Sequence, residues 1–87
     1  MAKLNKNTNQ DYKRGVRWGY AVAMNNVAVN GKRGVYQSDK LWGTAGKYAY
    51  DPKVKKTKSG KILDYKTRSA FAGIHDGVLS AMRKLGF

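Results

Sequence analysis

Two stretches of this chain, 58 residues apart, carry one pattern of small residues. Gly15-Val16-x-x-Gly19-Tyr20-x-x-Ala23-Met24-x-x-Val27 superposes on Gly73-Ile74-x-x-Gly77-Val78-x-x-Ala81-Met82-x-x-Leu85. Four positions are identical and three more are apolar in both stretches. Each glycine inside a helix loses about 1 kcal/mol against alanine, so four of them need a compensating gain. Close approach supplies one, because small residues every four positions let two helices cross with little side chain between them. The stripe Gly15/Gly19/Ala23 is therefore expected to meet Gly73/Gly77/Ala81, or each stripe to meet its copy in a homodimer.

The flanking residues extend both stretches into helices. Tyr12, Val16, Tyr20, Ala23 and Val27 recur at helical spacing, with Thr8 or Asn9 as cap and Asn30-Gly31 as terminator. Phe71, Ile74, Val78, Met82 and Leu85 do the same behind Thr67 or Ser69, with Gly86 as terminator. The helices are placed at about 9–29 and 67–85. Between them, Val35-Tyr36, Lys47-Tyr48-Ala49-Tyr50 and Lys61-Ile62-Leu63-Asp64-Tyr65 are short, β-branched or aromatic segments. Gly43, Gly46, Asp51-Pro52 and Ser59-Gly60 punctuate them. These features predict a small antiparallel hairpin or three-stranded sheet over about 33–65, with Lys58-Ser59-Gly60 at a tip. The expected fold class is α+β: a single compact domain over 9–87 behind a flexible basic arm over 1–8.

Charge constrains function more than fold. Eighteen Lys and Arg stand against five aspartates, for a net charge of +13, and there is no cysteine. A balance this basic points to a polyanion, an anionic surface or an acidic protein face. The apolar stretches are far shorter than the ~20 residues a membrane span requires, and no apolar run follows the basic amino terminus. A soluble, cytoplasmic chain without a disulfide is expected.

Catalytic ingredients are few. His75 is the sole histidine. Its neighbour Asp76 should point about 100° away on a helix, which excludes a base–orienter pair. Asp39, Asp51 and Lys53 formally match the two acids and lysine of a metal-dependent nuclease. However, Asp-Pro commonly opens turns and the chain is short for such a core. The five scattered aspartates form no metal-ligand cluster, and Gly43-Thr44-Ala45-Gly46 lacks the ending of a phosphate loop. Neither an enzyme nor a cofactor is expected.

Basic residues gather over 53–68, where Lys53, Lys55, Lys56, Lys58, Lys61, Lys66 and Arg68 face Asp64 alone. On a hairpin they could follow a phosphate backbone or enter a groove, or simply form a solvated edge. Arg14, Arg17 and Trp18 share the outer side of the first helix. They could stack a base and clamp phosphate, or pack a tryptophan beneath covering arginines. Tyr48 and Tyr50 leave the same choice open between stacking pair and core. Arg33-Gly34-Val35, Trp42-Gly43, Tyr50-Asp51-Pro52-Lys53 and the helix after Thr67 resemble AP2-type DNA-binding domains over residues 33–80. That resemblance implies three strands and a helix reading DNA with the sheet. It departs from the family at Leu63-Asp64-Tyr65 and leaves the first helix outside.

The expected function is phosphate-directed binding of DNA or RNA with low sequence specificity. The alternative is a phage-type effector or inhibitor whose basic and aromatic surface docks on an acidic face of a host nuclease, polymerase or defence complex, anchored by Trp18 or Trp42.

Overall fold

A computed structural model describes residue 6 and residues 8–87. Three helices follow in order: α1 (Gln10–Asn30), α2 (Lys32–Tyr50) and α3 (Tyr65–Lys84). Among the described residues there is no strand, only one antiparallel bridge between Lys56 and Ile62. The expected arm over 1–8 falls mostly outside the described residues.

Local signals set the helix ends. Asn9 caps α1 by accepting from the Tyr12 amide at 3.0 Å. Gly31, at φ 57°, ends α1 through its amide on the Val27 carbonyl. The Gly31 carbonyl then accepts from the Val35 amide and starts α2, so one residue joins the two helices. The cap of α3 is Asp64, three residues before the expected Thr67, and it accepts from the Thr67 amide at 2.8 Å. At its far end Phe87 donates to the Met82 carbonyl at 2.9 Å across Gly86, at φ 88°. This is the glycine-closed Schellman arrangement.

The two stripes meet each other inside one chain. A Cβ added at Gly73 would lie 2.0 Å from the Tyr12 carbonyl oxygen, and one at Gly77 would lie 2.2 Å from that of Val16. From the other side, Gly15 faces the Ala70 carbonyl and Gly19 that of Ile74. Partner positions rise together along both helices, so α1 and α3 run in the same direction, while α2 packs antiparallel against both. Ala23, Val78 and Ala81 form the buried centre, with Tyr20, Met24, Leu41, Ile74 and Met82 around it.

The α+β expectation fails over 32–50, which is helical throughout. Val35-Tyr36 and Tyr48-Ala49-Tyr50 have strand-like composition. Yet Gly34, Ser38, Ala45 and Ala49 recur at helical spacing and are the buried face of α2. Propensity is a weak prior, and packing overrides it here. Gly34 lets α2 start against α1, for its Cβ would lie 2.0 Å from the Asn26 carbonyl oxygen. Gly46 leaves room for the His75 ring rather than making a turn. With the strands goes the AP2-type arrangement, which needs three of them in this region. The chain does reverse at the expected tip, where the Gly60 amide bonds the Thr57 carbonyl, but one bridge is all the pairing it makes.

Candidate nucleic-acid interface

The 51–64 connection lies at one end of the bundle, with the start of α1, the end of α2 and the start of α3. Its shape is set largely by Arg68. This residue, only 6% exposed, donates to the carbonyls of Leu63 (3.1 Å), Tyr48 (3.2 Å), Asp51 (2.9 Å) and Val54. Tyr48 lies in the last turn of α2 and Asp51 caps it, so the guanidinium also meets carbonyls that a helix end leaves unpaired. Arg68 was expected on the binding surface. It is instead a buried internal tie, because the irregular backbone around it needs donors.

The six lysines remain outside. Lys53, Lys55, Lys56, Lys58, Lys61 and Lys66 are all exposed. Among the described residues none of them forms an ion pair. Two of the nearby acids are turned to backbone amides: Asp51 accepts from Lys53 at 2.9 Å, and Asp64 accepts from Thr67. The Thr67 hydrogen bonds, assisted by Lys61 and Lys66, hold the Asp64 carboxyl below its ordinary range. The loop is itself ordered by the Lys55 and Lys61 carbonyls, which accept from Leu63 and Thr57, and by the Tyr48 hydroxyl, which accepts from the Lys58 amide at 2.9 Å. Tyr48 packs edge-on against Phe71 at 5.1 Å, which makes it part of the scaffold rather than a stacking platform.

The second expected cluster is also at the surface. Arg14 and Arg17 are exposed and Trp18 is 52% exposed, with no sheet beneath it. A shallow depression lined by Asp11, Lys61, Lys66 and Phe71 links the loop to the start of α1. From Asp11, Arg14 and Trp18 follow one and two turns along the same side of α1. Arg17 is about 120° round the helix and outside that row.

His75 and Asp76 contradict their expectation. The imidazole Nδ1 lies 2.9 Å from Asp76 Oδ1 despite the divergence of their Cβ atoms, because both side chains swing toward each other. The other carboxylate oxygen accepts from Tyr12 and, at 2.9 Å, from Lys6. Burial alone would raise the Asp76 carboxyl, but the bonds from Tyr12, His75 and Lys6 outweigh it and hold it below the ordinary range. Burial first, then Asp76, pushes the Tyr12 phenol up. Trp42 stacks on the imidazole at 5.1 Å and Tyr50 meets it edge-on at 5.6 Å. The network ties all three helices together. Only the glycine at position 46 signalled it in sequence, by opening space for a ring. The nuclease-like acids do not converge, since Asp39 and Asp51 are about 18 Å apart along α2.

No protein-family model, curated protein or solved structure matches this chain. Among the described residues, no helix is long and apolar enough to cross a membrane.

Proposed function

We propose that this chain is a non-enzymatic protein that binds DNA or RNA at the loop end of the bundle, chiefly through phosphates and with little base specificity. The observation that carries this reading is the set of six exposed lysines, five on a loop pinned from within by Arg68 and Lys66 in the first turn of α3, with Asp51 and Asp64 engaged by backbone amides. A pre-ordered loop loses little conformational freedom on binding. The N-termini of α1 and α3 add their positive dipole ends at the same pole. Trp18 and Arg14 extend the surface along α1, where a base could stack on the indole.

Fluorescence anisotropy with a labelled duplex and a labelled single-stranded RNA, between 50 and 200 mM salt, tests the reading. Neutralising about six phosphates on duplex DNA gives a slope of log K against log[salt] near −5. The triple variant Lys55→Ala/Lys58→Ala/Lys61→Ala should flatten that slope by about 2 to 3 units. Absence of binding to either nucleic acid at the lowest salt overturns the proposal.

A further inference from the structure

Six aromatic side chains among the described residues are exposed: Trp18, Tyr36, Trp42, Tyr50, Tyr65 and Phe87. The fully buried side chains are small, with Val78 and Ser38 the largest, while Tyr36 is 68% exposed, Phe87 65% and Trp42 37%. These three converge. With Val35, Leu79 and Met82 they line a groove of about 470 Å³ between the first half of α2 and the last turns of α3. Lys32 and Asp39 stand at its rim. The backbone of Phe87 is fixed by the hydrogen bond from its amide to the Met82 carbonyl. Trp42 is held by its stack on His75. A concave apolar surface of this size, with one aromatic ring already positioned and two more at its walls, is the form a partner interface takes.

We propose that this groove docks an amphipathic helix of another protein, one whose apolar face is flanked by acidic residues. The walls are two antiparallel helices, so a third helix can lie between them in ordinary ridge-and-groove packing. Met82 supplies an adaptable floor. The groove's lining holds one cationic side chain, Lys32, along with the carboxylate of Asp39, which suits a phosphate backbone far less than the six exposed lysines at the opposite pole. Charge selects the flanks. Lys32, Lys40 and Arg83 are exposed on the two helices that form the walls, and Asp39 is the one acid lining the groove. A second copy of a chain with net charge +13 would meet repulsion there, while an acidic partner would be attracted.

The test uses the full chain, labelled with ¹⁵N and with ¹³C in its methionine methyls. It is titrated with a synthetic helical peptide of about four turns bearing leucines on one face and glutamates beside them. Shifts concentrated at Tyr36, the Trp42 indole, Leu79, Met82 and Phe87 are expected. Tyr36→Ala/Phe87→Ala should weaken binding about tenfold or more. Both side chains are exposed, so melting should not change, and duplex DNA affinity should stay as in the parent. A peptide with lysine flanks should fail to bind. Equal binding of the two peptides, or binding unaffected by the double variant, overturns the proposal. So does concentration-dependent dimerisation that the double variant abolishes, which would assign the groove to a second copy. Groove shifts on adding a single-stranded oligonucleotide would overturn it too, in favour of nucleic acid.

Discussion

Alanine should act in opposite directions at two helical glycines of this protein. At Gly77 a methyl would lie 2.2 Å from the Val16 carbonyl oxygen and 2.9 Å from the Tyr20 amide nitrogen. Ordinary contact begins near 3.4 Å. Both neighbours are backbone, so no side chain can turn aside, and α1 and α3 must separate by about 1 Å at that level. Overpacking of this kind costs about 1–3 kcal/mol, and rigid neighbours place Gly77→Ala toward the upper end. Alanine's helix propensity returns about 1 kcal/mol, leaving a net loss of about 2 kcal/mol. Gly43 lies inside α2 with nothing within 4 Å of its added Cβ, and its φ is not positive. There the propensity gain of about 1 kcal/mol stands alone. For a domain of this size 1 kcal/mol moves Tm by about 4–8 °C. Thermal melts followed by circular dichroism should therefore show Gly43→Ala up by about 4–8 °C and Gly77→Ala down by about twice that. Total stability of about 4–13 kcal/mol leaves the second variant folded, whereas Gly77→Leu should not fold. A Gly77→Ala variant that melts with or above the parent would refute the backbone crossing. A Gly43→Ala variant that falls as far as Gly77→Ala would refute the steric account of both.

Arg68→Met should lower stability by about 3 kcal/mol or more, since it leaves several carbonyls without their donor. Arg68→Lys should rescue little of this, because one ammonium cannot reach carbonyls fanned over three segments. Lys58→Ala should stay within about 0.5 kcal/mol of the parent, all three variants being compared by urea titration. Asp76 sets an acid limb. Its folded carboxyl is depressed below the unfolded value near 3.9, so its contribution is present above about pH 4 and is lost as pH falls through the folded value. At the alkaline end the Tyr12 phenol is raised, so its contribution holds below about pH 10 and is lost as pH climbs beyond. In urea midpoints measured against pH, Asp76→Asn should flatten the first limb and Tyr12→Phe the second.

The crossing of α1 and α3 was legible because glycine in a helix is unfavourable on its own, so a repeated stripe requires a neighbour. The same signal is present in α2 as Gly34, Ser38, Ala45 and Ala49, but there it runs through residues of strand-like composition and beside Gly43, which touches nothing. A glycine without a neighbour and a glycine at a crossing look alike in sequence, and that hid the third helix. The exposed lysines were legible as charge. Arg68 was not, since its place among carbonyls depends on where the chain turns after Tyr50. The groove was hidden for a related reason: Phe87 and Tyr36 are more than 50 residues apart, and only the antiparallel return of α2 along α3 brings them together.

That return also decides which pole attracts anions. α1 and α3 present positive N-terminal ends beside the lysine loop, while α2 presents a negative C-terminal end there. Left bare, the α2 carbonyls would partly cancel the field of the other two helices. Arg68 engages those of Tyr48 and Asp51, so the cancellation is reduced from inside while the six lysines over 53–66 stay exposed. A lysine in place of Arg68 could not span those acceptors, and one of the loop lysines could not do so without leaving the surface. At the opposite pole α3 carries Arg83 and Lys84 in its last turn, where their charges offset the negative helix end and leave the flank of the groove positive. The lysines and the apolar groove therefore lie at opposite ends, so on the two proposed readings either site would be occupied without covering the other.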